Sequence, residues 1–247
     1  MRTRFISVTL LSFLFASSRA IDFVISNGQI FTPGFAIVDA PQPYTPLGGD
    51  IIEVALDVSA DGKLNQPPYD SDSPSLIHNI TIFLHSYDTG RNFTITNGTA
   101  TDNNATLGDI LLSEPGSTVK HVRWTWPQCL IGDGKSDNND RGDYNISIRQ
   151  NFRLNDEEHY TVFDLPISVT NTINFVGNNV DCDSINNPLL APGEIDYNET
   201  NTVGVLFAPS DATVVQQTTG QGTALRPGWG SVVAGLSTAA AICFLYI

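Results

Sequence analysis

The sequence predicts an all-β fold, an antiparallel sandwich, on three observations. Apolar and polar residues alternate with period two in five stretches, as half-buried strands require. Clusters of turn-forming residues, "PLGGD", "SDSP" and "GDGKSDNNDRGD", separate those stretches at sandwich-like intervals. No amphipathic helical pattern stands between residues 21 and 222.

Each strand has a definite inner face. "IIEVALDV" puts Ile52, Val54, Leu56 and Val58 on one side and Glu53 and Asp57 on the other. "HNITIFLHSY" puts Ile80, Ile82 and Leu84 inward, with Asn79, Thr81, Phe83, His85 and Tyr87 outward. "RNFTITN" sets Phe93 and Ile95 against Asn92, Thr94 and Thr96. "VKHVRWTW" sets Val122, Trp124 and Trp126 against His121, Arg123 and Thr125. "YNISIRQNF" sets Tyr144, Ile146, Ile148 and Phe152 against Asn145, Ser147 and Arg149. The sequons at Asn79, Asn92 and Asn145 all fall on the polar side, so glycosylation chemistry agrees with strand parity.

The stretch "DRGDYNI" resembles the D-x-G-x-Y-x-C element of immunoglobulin-like domains, in which the tyrosine forms a corner bond. Ile146 stands where that element has its cysteine, so the family's inter-sheet disulfide is not expected. The resemblance implies an immunoglobulin-like sandwich over 21–175. Residues 176–222 then read as an extended segment and stalk, ending in the flexible "DATVVQQTTGQGT".

Both ends carry targeting features. "MRTRFISVTLLSFLFASSRA" has Arg2 and Arg4, a short apolar run, and small residues Ser18 and Ala20 before a cleavage site. It reads as a signal peptide over 1–20, too short in its apolar run to span a bilayer. The last seventeen residues, from Ser231, carry no charge, and no basic residue follows them. With small residues at Gly222 and Ala224 and a polar spacer, the tail fits a GPI-attachment signal, with Gly222 or Gly220 as the attachment site and 223–247 removed. A retained membrane segment is the alternative.

Processing at both ends leaves eight basic residues against 26 acidic ones, a net charge of −18. Such a chain repels nucleic acid and anionic lipid surfaces, and neither is expected as a partner. Its outer-leaflet contact is through the lipid anchor. Of three cysteines, Cys243 leaves with the tail, and Cys129 and Cys182 are expected to pair in an oxidising compartment. Closing a loop of about 50 residues stabilises by roughly 4 kcal/mol on the chain-entropy account. Six sequons, Asn79, Asn92, Asn97, Asn104, Asn145 and Asn198, mark a heavily glycosylated surface.

No catalytic constellation stands out. His78, His85, His121 and His159 form no metal-binding spacing, and the G-x-S-x-G, P-loop and Rossmann patterns are missing. A blue-copper site lacks its methionine, and Ile21 replaces the N-terminal histidine of secreted copper oxygenases. Among the acids nothing singles out a glycosidase pair. The acidic loop 133–143 approaches a calcium-loop pattern, but Arg141 occupies a ligand position. Its Arg141–Gly142–Asp143 tripeptide mimics an integrin motif while overlapping the corner element. No metal and no cofactor are expected. Phe83 and Tyr87, on one outward face, are the candidate ligand-binding pair, because aromatic rings stack on sugars. Trp124 and Trp126 are expected in the core.

The stretches "NGQIFTPG", "DAPQPYTPLGGD" and "YNISIRQNFRL…HYTVFDLPISV" resemble short secreted, GPI-anchored glycoproteins of filamentous fungi. The layout also resembles, distantly, the Kre9/Knh-type wall-glucan assembly domain, though the Ser/Thr-rich extension is nearly missing and the Trp comes late. The resemblances imply a non-enzymatic surface glycoprotein, structural or interacting with the wall. The alternatives are a module binding cell-wall polysaccharide and a secreted hydrolase or metal enzyme.

Overall fold

The computed structural model describes residues 20–95, 111–134, 140–190, 205–209 and 213–218. Among them eleven strands form two packed sheets, and the fold is an all-β sandwich. In chain order the strands are β1 (Ala20–Ser26), β2 (Gln29–Phe31), β3 (Ile37–Ala40), β4 (Pro46–Leu47), β5 (Ile51–Asp57), β6 (Leu76–Ser86), β7 (Arg91–Ile95), β8 (Val119–Thr125), β9 (Gly142–Leu154), β10 (Glu157–Val169) and β11 (Thr213–Thr218). One sheet has the order β11-β1-β2-β3-β5-β8 and the other β4-β10-β9-β6-β7. All pairings are antiparallel except β4 with β10. A helical turn, α1 (Cys182–Ile185), follows β10.

The faces expected from alternation are the faces observed. Ile52, Val54, Leu56 and Val58 join Ile80, Ile82, Leu84, Phe93, Ile146, Ile148 and Phe152 in one buried core, with Trp124 and Trp126 fully enclosed. The rings interlock edge-on: Phe23 meets Phe163 at 5.4 Å across the two sheets, and Trp124 meets Trp126 at 6.4 Å. Burying an aliphatic or aromatic side chain contributes about 1.5–3 kcal/mol, so each residue of this seam stabilises the sandwich.

Two long polar side chains interrupt the apolar pattern on the inner side. Gln150 is fully buried on β9. Its carboxamide accepts from the Ala36 N–H at 2.9 Å and donates to Thr32 Oγ1 at 2.9 Å, tying β9 to the loop between β2 and β3. Lys120, on the inward parity of β8, donates its ammonium to the carbonyls of Ser113 and Glu114 (3.2 Å). Gln150 is thus satisfied by one backbone and one hydroxyl partner and Lys120 by backbone carbonyls, which offsets the cost of burying them.

The expected stalk over 176–222 is corrected by what its described parts do. Cys182 and Ile185 belong to the core, and Asn179 Nδ2 donates to the Trp126 carbonyl at 2.8 Å. Cys129 and Cys182 form the expected disulfide. Phe207 stacks on Phe35 at 5.7 Å, while Val205 and Ala208 cover Val24, Phe31 and Ile37 on the outer side of the six-stranded sheet. The stretch read as flexible contributes β11, which pairs with β1 from Ala20↔Thr218 to Ile25↔Thr213. An unpaired edge and an apolar outer patch drew this chain in, which a local reading of its polar composition does not reveal. Gly222 and the residues on either side of it lie outside the described residues.

Gly34 is shaped by the Gln150 bridge. A Cβ there would lie 2.4 Å from Gln150 Oε1. Gly34→Ala is therefore expected to cost about 1–3 kcal/mol in urea denaturation, the range for overpacking a well-filled site. A midpoint unchanged from the parent would show that the Gln150 bridge is dispensable.

Candidate functional site

The outward face of the five-stranded sheet holds the sequence-predicted residues. Register fixes the rows. Asn92, His85, Asn145 and Pro166 stand side by side across β7, β6, β9 and β10. The next row is Thr94, Phe83, Ser147 and Asp164, and the one beyond carries Thr81, Arg149 and Val162.

This face is outward in parity and largely closed to solvent. His85, Asn92, Thr94, Ser147 and Asp164 are all buried. His85 Nε2 approaches Asp164 Oδ1 at 3.6 Å, an ionic contact rather than a hydrogen bond. Among the described residues, both ring nitrogens of His85, Asp164 Oδ1, Arg149 Nε and Asn92 Oδ1 lack hydrogen-bond partners. Burial pushes the Asp164 carboxyl up. The facing His85, the Ser147 hydroxyl and the Arg149 guanidinium outweigh it and hold the carboxyl below the usual carboxylate range.

Phe83 and Tyr87 do not form the exposed aromatic platform expected of a stacking site. Both are half-buried. The Arg149 guanidinium sits 4.4 Å above the Phe83 ring, occupying one of its faces. Tyr87 meets His85 edge-on at 5.2 Å. Among the described residues the largely exposed aromatics are elsewhere: Tyr44 (61%) and Phe175 (66%). His85 also departs from expectation, since its outward parity does not leave it at the surface. His121 is surface-exposed and pairs with Glu114 at 3.2 Å; His78 pairs with Glu158 at 2.7 Å.

The serine, histidine and aspartate of this face are not arranged as a nucleophile and its base. Ser147 serves Asp164, and His85 offers its nitrogens to neither hydroxyl nor amide. No cluster of three or more His, Cys, Asp or Glu suited to a metal occurs among the described residues. In the acidic loop, 135–139 lies outside them.

Arg141, at the calcium-loop ligand position, is buried, and its guanidinium donates to the carbonyls of Leu130, Gly134 (2.8 Å) and Asn171 (2.5 Å). The integrin-like tripeptide is therefore not presented. Burial pulls the Arg141 pKa down from its ordinary value. Beside it the buried Tyr144 hydroxyl donates to the Asp140 carbonyl, the corner bond that the "DRGDYNI" signature predicts.

Three of the six sequons can be placed. Asn79 and Asn145 are half-buried, whereas Asn92 is 7% exposed and engaged by chain from 186–188. Asn97, Asn104 and Asn198 lie outside the described residues. What parity could not show was cover: nothing in "RNFTITN" announces that a segment 90 or so residues later lies on it.

Compared with known proteins, the chain matches no family model, no curated protein and no solved structure. Among the described residues no helix is long and apolar enough to cross a membrane.

Two predictions follow from this geometry. Asp164 has a depressed folded pKa, so its contribution is complete above the unfolded value of about 3.9 and is lost as pH falls through the lower folded value. Asp164→Asn should be less stable than the parent at pH 7, with the gap closing towards pH 2 in urea melts; a constant gap would remove Asp164 from the acid response. Arg141→Lys, which cannot reach three carbonyls at once, should lose about 2–4 kcal/mol. An unchanged midpoint would show that those carbonyls find water.

Proposed function

We propose that this protein is a glycoprotein of the cell surface, non-enzymatic, with a structural or interaction role in a cell wall. The observation that carries the reading is the Cys129–Cys182 bond, which ties the chain after β10 to the sandwich. Such bonds persist in oxidising compartments and fit secretion. The N-terminal leader, the sequons and the GPI-type tail point to the same compartment. An immunoglobulin-like form of the sandwich is supported by the Tyr144 corner bond. Three arginines support a structural role, since each pairs with an acid from another part of the chain: Arg91 with Asp140 and Asp183, Arg153 with Glu158, Arg123 with Glu53.

A second reading, binding of wall polysaccharide, is favoured by one observation. Tyr44 and Phe175 expose flat rings on hydrogen-bonded loops. The Tyr44 N–H donates to the Pro166 carbonyl at 2.6 Å, and the loop around Phe175 is fixed by Val176 N–H to Asn179 Oδ1 at 2.8 Å. Exposed rings on backbone that is already anchored lose less entropy on stacking against a sugar than rings on a free loop.

The anchor is tested by expressing the full chain in a eukaryotic secretory host and treating cells with a phospholipase C specific for phosphatidylinositol. Release into the medium is expected; retention would favour a membrane segment kept in place. Incubation of the released protein with insoluble β-glucan, chitin and mannan then separates the two readings. Retention that falls about tenfold in Tyr44→Ala or Phe175→Ala, the loss of about 1.4 kcal/mol, establishes the polysaccharide reading. Absence of retention on all three leaves the structural role.

A further inference from the structure

The open edge of the five-stranded sheet is β7, and it does not stay open. The chain from α1 to Pro188 lies along it as a strap. Cys182 tethers the strap to Cys129, and the Arg91 guanidinium bridges Asp140 and Asp183. Three asparagines make the seam. The Asn92 N–H donates to Asn186 Oδ1 at 2.8 Å, the Asn187 N–H donates to the Asn92 carbonyl at 2.8 Å, and Asn187 Nδ2 donates to Thr94 Oγ1 at 3.0 Å. Asn92 Nδ2 donates to the Pro188 carbonyl at 2.9 Å.

Those contacts consume a sequon. Asn92 and Thr94 are its first and third residues, and both are buried. The nitrogen that would carry a sugar is the one held by Pro188. The other sequons of this sheet differ. Among the described residues, Asn79 uses only Oδ1, accepting from Asn151 at 3.0 Å, and Asn145 makes no side-chain hydrogen bond; both are partly exposed. A sugar ring on Asn92 would need the space that 186–188 fills.

We propose that Asn92 is a conditional N-glycosylation site at which the strap and a glycan exclude each other. The proposal rests on the secretory reading above. In the transfer, the Asn92 amide nitrogen forms a bond to the anomeric carbon of an oligosaccharide carried on a lipid diphosphate. The bond from that carbon to the phosphate oxygen breaks, the lipid diphosphate leaves, and Nδ2 gives up one proton. Chain order makes both outcomes reachable. Synthesis runs from the N-terminus, so Asn92 meets the transferase before residues 186–188 exist to cover it. A chain glycosylated there keeps its disulfide but cannot seat the strap, and it presents the unpaired N–H and C=O groups of β7 as an edge open to another extended segment.

The test uses the full chain secreted by a glycosylating host. Site occupancy is read by mass after glycan removal in heavy-oxygen water, and hydrogen exchange is followed in the peptide 183–190. The fast-exchanging fraction of that peptide is expected to equal the glycosylated fraction of Asn92, down to none if Asn92 is bare. A single slow population with Asn92 substantially glycosylated overturns the proposal, as does fast exchange with Asn92 bare. If Asn79 and Asn145 are bare as well, the secretory reading fails. Asn92→Trp, made without glycosylation, then decides the exclusion by placing a ring where the sugar would sit. Fast exchange at 183–190 upholds it, and slow exchange overturns it.

Discussion

One cation holds the end of the sandwich at which β9 begins. The Arg141 guanidinium collects the carbonyls of Leu130, Gly134 and Asn171, which come from two separate stretches of chain. None of these carbonyls can find water easily once the end is closed, and a planar fork of five donors is the group that reaches several at once. The Tyr144 corner, the disulfide and the Arg91 bridge all lie in the neighbourhood it fixes. Asp140 makes the connection explicit, since it accepts from Tyr144 through its carbonyl and from Arg91 through its carboxylate. The strap inherits its position from this end.

The sandwich was legible because its strands obey one rule. A two-residue period with apolar residues on one side is sufficient to place Ile52, Val54, Ile80, Ile82, Ile146 and Ile148. Tyr144 was legible for a different reason, a local signature whose bond spans only four residues. What escaped reading is non-local. Gln150 looks like a polar residue out of place until Thr32 and Ala36 supply its partners from over a hundred residues away. His85 and Asn92 sit at correctly assigned parities. Yet parity describes direction and not depth, and the chain that covers Asn92 has no periodicity of its own. β11 was misread for the same reason: a polar strand that completes an edge needs backbone pairing and little else.

The two faces of the five-stranded sheet follow opposite economies. The inner face closes on hydrocarbon, where shape decides. The outer face closes on histidine, aspartate, arginine, serine and asparagine, where every missing partner costs free energy. Several polar atoms there remain unmatched among the described residues. Such a surface is less stable than an apolar one of equal area, and it responds to acid through Asp164 while the core does not.

The pairing of β1 with β11 puts Ala20 beside Thr218. Any pull on the chain beyond Thr218, directed along the strand, loads the paired residues of that ladder together and in shear, so no single hydrogen bond takes the force first. A pull across the strand would open the same ladder one pair at a time. The sandwich is therefore mechanically directional: strong against tension that runs along its edge, weak against tension that peels it.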